Sequence, residues 1–301
     1  MNIENSKIRF IVNPLSCHGA DIEKYIATIH SSFSQKGVNF DIQVTEARGH
    51  GTVIAKKSVA EDYDLVVAVG GDGTVNEVGK GLINTDVVLG IIPIGSANGI
   101  ARGLNIPLKA ELACETLFSG EVRQIDIGRM NNEYFLGVAG TGIDALIAQE
   151  FSRRRIFRGF LSYCLVFAQK FFSYKPDEVT VRIDSDYQRK LSPLVIAIAN
   201  LKEYGYGAVI APDADVYDSL LDISIIEHLN IFELIYHLPK LFNGDIKRVP
   251  KVESHRGNLI EIVGVNSLAV HIDGEGFSGG TKLRFTILPK ALKVCTLTCP
   301  H

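Results

Sequence analysis

Five apolar residues in succession, Leu65-Val66-Val67-Ala68-Val69, run directly into Gly70-Gly71-Asp72-Gly73-Thr74. An unbroken apolar run bounded by glycine is the signature of a strand buried on both faces. A helical pattern follows from Val75. The stretch therefore prescribes strand, tight turn and helix. Glycines at a strand end let the backbone approach a ligand closely. The helix that follows aims its first N–H groups and the positive end of its dipole at the same space. The arrangement suits phosphate. Asp72 places a carboxylate inside it, which calls for Mg²⁺ or a substrate hydroxyl as its partner.

A plainer reading is a turn with a capping box, Thr74 as N-cap and Glu77 reaching back. It accounts for those two residues but not for paired glycines followed by Asp-Gly. Phosphate binding is therefore favoured, and Glu77 is taken as structural. The loop is not a Walker A sequence. Gly73 and Gly79-Lys80 are one residue too far apart, and Gly81 stands where Ser or Thr belongs. No G-x-G-x-x-G sits at a strand-to-helix turn, so a dinucleotide fingerprint is not supported.

Strand and helix patterns alternate through the first part. Lys7–Val12, Phe40–Val44, Leu65–Val69 and Val87–Ile92 read as strands, with helical spacing over Asp21–Lys36, Gly51–Ala60, from Val75 and over Lys109–Phe118. This order argues for a parallel sheet with helices on both faces. After about Ile127 the pattern becomes short strands between turn residues: Tyr134–Val138, Val179–Ile183, Leu194–Ala199, Leu221–Ile226, Leu259–Ile262, Leu268–Ile272 and Leu283–Leu288. Helical spacing interrupts them at Ile143–Phe172 and Ile231–Leu241. A second, mostly antiparallel β domain follows. The expected division is an α/β domain over 1–127 and a β-rich domain over 128–301. The tail, 290–301, holds one more strand at Leu292–Leu297 that could return to the first domain.

Composition narrows the functional classes. Lys and Arg number 31 against 34 Asp and Glu, a net charge of −3, so no basic field recruits nucleic acid. The first residues lack the shape of a signal peptide, and no apolar run is long enough to span a bilayer. Cysteines 17, 114, 164, 295 and 299 are odd in number and scattered, as in a reducing cytoplasm. No His, Cys or carboxylate spacing reads as a transition-metal site.

A second glycine turn, Ile92-Pro93-Ile94-Gly95-Ser96-Ala97-Asn98-Gly99, ends the next parallel strand and should lie beside the first. Small residues with Ser96 and Asn98 offer donors to a phosphate chain. Strand-GGDGT-x-NE, this P-x-G-S-x-N turn and the Ala101-Arg102 that follows together resemble the diacylglycerol kinase catalytic family, which includes bacterial lipid kinases and sphingosine kinases. Asn13-Pro14, Thr45 with Gly49-His50, Pro212-Asp213-Ala214 with Asp218 and Leu220-Leu221-Asp222, and Asp273-Gly274-Glu275 resemble its other motifs in order. The resemblance covers nearly the whole chain. NAD kinases and phosphofructokinases share GGDGT but not this set.

The resemblance implies an ATP-dependent lipid kinase with an NAD kinase-like α/β domain, a C-terminal mostly antiparallel β-sandwich, and a nucleotide between them. It assigns nucleotide contacts to Asn13, Thr45, Gly70, Gly71, Asp72, Gly73, Thr74, Val75, Asn76, Gly95, Ser96 and Asn98. It makes Asp273 the general base on a lipid hydroxyl, with Glu275 in support. It gives a structural Mg²⁺ to the carbonyls of Val216 and Leu220 and the side chain of Asp218. Phosphoryl transfer independently asks for clamped phosphates, a charge-neutralising cation and a carboxylate near the acceptor. From sequence alone, Asp273-Gly274 reads equally as a hairpin turn.

The chain departs from the family's pattern at Gly99, where diacylglycerol-type members often carry Asp, at Ser96 for Thr, and at Ser219 for Gly. A lipid kinase must also reach its substrate at a membrane surface. Arg153-Arg154-Arg155 and Arg158 precede the apolar Phe160–Phe172, with Lys170 and Lys175 beyond. That stretch reads either as a helix on anionic lipid, in a peripheral protein of the cytoplasm, or as a helix covering the β domain. A homodimer through an edge strand is a further expectation. Two other functions remain: a soluble small-molecule kinase of the NAD kinase type, and a binding protein that kept the fold without turnover.

Overall fold

The computed structural model describes residues 3–17, 22–154 and 160–297. The chain divides into two compact units. One runs through Ile125 and takes up the chain again from Lys290, and the other is Asp126–Pro289.

The first unit is built from β1 (Ile8–Val12), α1 (Ile22–Ser34), β2 (Phe40–Val44), α2 (His50–Ala60), β3 (Leu65–Gly70), α3 (Asp72–Leu82), β4 (Val88–Pro93), α4 (Gly99–Gly103) and α5 (Ala110–Ser119). Its strands are parallel in the order β2-β1-β3-β4, with Ile8 opposite both Phe40 and Leu65, and Leu65 opposite Val88. Strands β1, β3 and β4 are buried at every position, which is why they read as continuous apolar runs. Helix α1 packs with α5 on one face of the sheet and α2 with α3 on the other. Phe33 of α1 joins Phe10 and Phe118 at ring distances of 4.9 and 4.6 Å. Phe10 and Phe33 are fully buried, and each contributes about 1.5–3 kcal/mol of transfer free energy.

The second unit begins within β5 (Glu121–Met130) and continues with β6 (Glu133–Phe135), β7 (Val138–Gly142), α6 (Ile143–Arg154), α7 (Phe160–Phe171), β8 (Val179–Ile183), β9 (Tyr187–Leu191) and β10 (Val195–Ala199). It is completed by β11 (Leu221–Ile226), α8 (Ile231–Phe242), β12 (Val252–Gly257), β13 (Leu259–Gly264), β14 (Ala269–Ile272), β15 (Glu275–Ser278) and the first part of β16 (Lys282–Thr296). It is an antiparallel β-sandwich. One sheet has the order β12-β11-β10-β7-β14-β15, and the other carries β16-β13-β8-β9 with the hairpin β5-β6. Alternate residues of β10 separate two cores. Ile196 and Ile198 face the sandwich interior, and Val195, Ala197 and Ala199 face a helical layer of α6, α7 and α8.

Several expected boundaries move. Tyr134–Val138 is not one strand but the end of β6 and the start of β7. Within Ile143–Phe172 the described residues form α6 and α7, and Arg155 and Arg158 lie outside the described residues, as do Asp21 and Cys299. The expected strands Leu283–Leu288 and Leu292–Leu297 belong to the single strand β16, whose end pairs in parallel with β4 through Lys293 and Val294. Strands β5, β9, β12 and β15 have no counterpart in the sequence reading. Strands β9, β12 and β15 are edges of their sheets. An edge strand keeps polar and charged side chains, as Arg189, Lys190, Glu253 and Arg256 do here, so its apolar alternation is weak.

Candidate active site

The strand order of the first unit places β1 between β2 and β3, so the chain leaves β1 in one direction and returns on the other side. Ligands of open α/β sheets bind beyond the strand ends at that reversal. Asn13 and Ser16 follow β1 there, and Gly70 to Thr74 follow β3. Side chains close this crevice. Asn13 Nδ2 donates to Thr74 Oγ1 at 2.9 Å, and the Gly71 N–H donates to Ser16 Oγ at 3.3 Å. Thr45, at the end of β2, is held in line by its N–H on the Val12 carbonyl at 2.9 Å.

The loop after β4 is laced to the loop after β3. Ile94 N–H donates to the Gly70 carbonyl at 3.0 Å, and the Ile100 N–H donates to Asp72 Oδ1 at 2.8 Å. Asn98, at φ 51°, braces the turn from inside: it accepts from Gly95 N–H at 3.0 Å and donates to the Gly95 carbonyl at 2.9 Å. The two backbones touch. A Cβ on Gly95 would stand 2.5 Å from the Gly71 Cα, and one on Gly70 2.3 Å from Thr74 Oγ1. Glycine is needed here for space. Ser96 is exposed at the turn's tip, whereas Val75 and Asn76 are buried in α3.

The capping-box reading of Thr74 and Glu77 is corrected. Helix α3 starts at Asp72 with Gly71 as N-cap, so Thr74 lies inside the first turn. Glu77 serves a different helix. Its carboxylate accepts from Gly49 N–H at 2.7 Å and Gly51 N–H at 3.0 Å, at the N-terminus of α2. A charged acceptor at a helix N-terminus satisfies orphan donors and complements the dipole. Glu77→Ala should lower unfolding free energy by about 1–2 kcal/mol, with Glu77→Gln losing less, as read by chemical denaturation.

In the second unit, Asp273 and Gly274 form a two-residue hairpin between β14 and β15, with Ile272 paired to Glu275. Both have positive φ, 47° and 79°, which defines a type I′ turn. The hairpin reading is thus realised. The turn also has a task. Asp273 Oδ1 accepts from Gly137 N–H at 2.9 Å and Val138 N–H at 3.0 Å, and Oδ2 accepts from Leu136 N–H at 3.0 Å. The carboxylate therefore clamps the link between β6 and β7.

That link extends to the loop before β11 through residues the sequence reading missed. Asn200, almost fully buried, donates Nδ2 to the carbonyls of Leu136 at 2.9 Å and Asp126 at 2.8 Å. Asp126, fully buried, accepts from Ser219 N–H at 2.7 Å, and its own N–H donates to the Val216 carbonyl at 2.8 Å. The available signal was a polar residue closing or interrupting an apolar strand, as in Ala199-Asn200 and Ile125-Asp126-Ile127. A second buried cluster was missed because its members are far apart in sequence. Asp144 Oδ2 accepts from Tyr204 Oη at 2.7 Å and lies 3.1 Å from His271 Nε2. Burial, then the Asp144 charge, pushes the Tyr204 hydroxyl well above its ordinary range, so it stays protonated and donates.

The Val216, Asp218 and Leu220 turn satisfies itself without a metal. Asp218 Oδ1 accepts from Leu220 N–H at 3.0 Å, and Oδ2 faces Arg256 Nη1 at 3.6 Å. The same guanidinium bonds Asp222 at 3.1 Å and the Asp213 carbonyl. Positive charge is thus supplied by Arg256, and among the described residues no group of three or more His, Cys, Asp or Glu is placed to hold a metal ion. A cation on Asp218 would have to compete with the Arg256 guanidinium. Ser219 sits at φ 61°, a left-handed conformation that suits glycine. Ser219→Gly should raise unfolding free energy by about 0.5–1 kcal/mol, the left-handed cost offset in part by glycine's entropy. A denaturant midpoint shift with unchanged m would register it.

The candidate residues thus form two groups, the strand-end cluster of the first unit and the Asp273, Glu275 and 216–220 group of the second. A family model described as "Diacylglycerol kinase catalytic domain" matches residues 7–130, and one described as "YegS C-terminal NAD kinase beta sandwich-like domain" matches residues 137–296. A diacylglycerol kinase of Bacillus subtilis is 31% identical over 275 residues, 89% of each chain. One of Mycobacterium tuberculosis is 28% identical over 300 residues, 97% of this chain and 95% of its own. Among solved structures, a diacylglycerol kinase of Bacillus anthracis superposes with a TM-score of 0.73 at 18% identity, covering 97% of each chain. An NAD kinase of Archaeoglobus fulgidus in complex with ATP gives 0.52 at 13% identity over 96% of this chain and 93% of its own. These last two are likenesses of fold. On the family matches and the Bacillus subtilis relative together, the chain belongs to the diacylglycerol kinase catalytic-domain family.

Proposed function

We propose that the protein is an ATP-dependent lipid kinase that transfers the γ-phosphoryl group of ATP to a hydroxyl of a diacylglycerol-like or sphingoid lipid at the cytoplasmic face of a membrane. The observation that carries this reading is the backbone contact between the Gly70–Thr74 and Gly95–Asn98 loops at the strand-end reversal. Two glycine turns held against each other at helix N-termini suit a polyphosphate better than a neutral ligand. The names of the relatives supply the lipid acceptor.

Phosphoryl transfer asks mainly for positioning and charge stabilisation. In this reading the two loops, with Asn13, Thr45 and Ser96, hold the nucleotide. Asp72 keeps them in register through the Ile100 N–H, and Mg²⁺ enters with ATP. Asp273 takes the proton of the acceptor hydroxyl, and Glu275 supports it.

Transfer of labelled γ-phosphate from ATP with Mg²⁺ into mixed micelles of diacylglycerol, ceramide or a sphingoid base tests the proposal. One labelled lipid is expected, and the identity of that lipid reads out the effect of Gly99. Label in a soluble dinucleotide without lipid would favour the NAD kinase type, which the fold likeness to an NAD kinase supports. Nucleotide binding with no labelled acceptor would favour a binding protein.

A further inference from the structure

The proposed base stands on a short hairpin. Strand β15 is the edge of its sheet and pairs with β14 over four residues. Strand β14 pairs with β7 at three, Val270 with Thr141, His271 with Gly140 and Ile272 with Ala139. A two-stranded ribbon this short is marginal by itself, so what lies against it decides where Asp273 stands. Val270 and Ile272 face the sandwich core. His271, between them and two residues before Asp273, faces helix α6 on the other side of the sheet. Helix α6 also holds β15. Gln149 Nε2 donates to the Phe277 carbonyl at 2.6 Å, and a Cβ on Gly276 would stand 2.2 Å from the Gln149 main-chain nitrogen, so helix and strand touch backbone to backbone.

The contact at His271 is the buried one. Its side chain is 3% exposed, and that of Asp144, in the first turn of α6, is 8% exposed. Nε2 lies 3.1 Å from Asp144 Oδ2, which also accepts from Tyr204 Oη at 2.7 Å, while Oδ1 accepts from the Ala145 N–H at 2.7 Å. A carboxylate only accepts, so the ring nitrogen facing it carries the proton. The other nitrogen, Nδ1, is buried with no hydrogen-bond partner among the described residues. A buried polar atom without a partner is destabilising, and an apolar side chain would fill the same place without that penalty. What the imidazole adds is the bond that joins β14 to the head of α6. Gly140 leaves room for it: a Cβ there would stand 3.3 Å from Nε2.

We propose that His271, fixed by Asp144 and Tyr204, is a positioning residue for Asp273. It sets the place of the hairpin on the sheet, and with it the fit of the Asp273 carboxylate to the N–H groups of Leu136, Gly137 and Val138. The consequence for turnover rests on the lipid-kinase reading, and the mechanical coupling does not.

Nuclear magnetic resonance of the protein without nucleotide or lipid reads the coupling, because the amides of residues 136–138 report the carboxylate they donate to. In His271→Leu those amides should shift and exchange with solvent about tenfold faster or more, while the amides of β8, in the opposite sheet, stay as in the wild type. His271→Gln, whose amide keeps an N–H toward Asp144, should remain within about twofold of the wild type. Phosphoryl transfer to a lipid in detergent should fall about 10- to 100-fold in kcat for the leucine variant, at unchanged KM for ATP, and recover with glutamine. Tyr204→Phe, which takes one donor from Asp144, should give the same pattern at smaller size, and it carries the test where the leucine variant does not fold. Unmoved amides at 136–138, or β8 amides accelerated equally, would overturn the proposal, since the histidine would then act through general stability or not at all. So would a leucine variant with the wild-type kcat. The expected amide changes in a protein that labels no lipid would sink the kinase reading alone. An active wild type whose amides do not respond to the substitutions would sink the positioning role alone.

Discussion

Gly95→Ala should weaken ATP binding by more than about 100-fold, roughly 2.7 kcal/mol. The added methyl would stand 2.5 Å from the Gly71 Cα and 2.9 Å from Asn98 Oδ1. One of these neighbours is main chain and cannot rotate away. The loops after β3 and β4 must separate. Separation strains the Ile94–Gly70 bond, the Asn98 brace and the Asp72–Ile100 bond together. Overpacking of this kind costs about 1–3 kcal/mol of stability. Nucleotide affinity should suffer at least as much, because the proposed phosphate donors are the groups displaced. Gly37→Ala is the control. It sits at φ 69° with nothing within 4 Å of the new Cβ, so it incurs backbone strain and no collision. Calorimetric titration with a non-hydrolysable ATP analogue should show Gly37→Ala binding normally. Wild-type affinity in Gly95→Ala would remove the two-loop crevice from the nucleotide site.

Gly95 also illustrates what a sequence discloses. The strands β3 and β4 and their glycine turns were legible because burial on both faces forbids polar residues and close backbone approach forbids side chains. Both constraints act locally. The role of Glu77 was not legible: it caps a helix 26 residues upstream, and the local Thr74–Glu77 spacing offered a plausible rival. Asp126 and Asn200 are joined across 74 residues, and each alone looks like an interruption. Edge strands escaped because solvent on one side and charge against aggregation erase the alternation that marks them. The exposed apolar residues of α8, Phe232, Ile235 and Tyr236, escaped for the opposite reason, since apolar residues at helical spacing read as core whichever side they face. Asp273-Gly274 was legible as both a turn and a family motif, and both descriptions apply to the same residues.

Asp273 is observed as a clamp and proposed as the base, which makes its substitution the most informative. Asp273→Asn should lower kcat by about 10²–10⁴-fold if the carboxylate is the general base. Asn tolerates the left-handed backbone, so the turn should survive. The amide oxygen can still accept from Gly137 and Val138, but the new NH₂ faces the Leu136 N–H. One main-chain donor then lacks its acceptor, at a cost of about 1–3 kcal/mol. Activity loss alone is therefore ambiguous between a missing base and a loosened clamp. Two readouts separate them. Loss of a base leaves ATP affinity intact and persists at low temperature, where the variant is fully folded. It also removes the acid limb that protonation of a catalytic carboxylate gives to kcat/KM. A purely structural Asp273 would leave that limb in place, and turnover would recover as the variant is stabilised by cooling. Recovery to the wild-type rate under those conditions would reassign the proton to another acceptor and leave Asp273 as the clamp that holds residues 136–138.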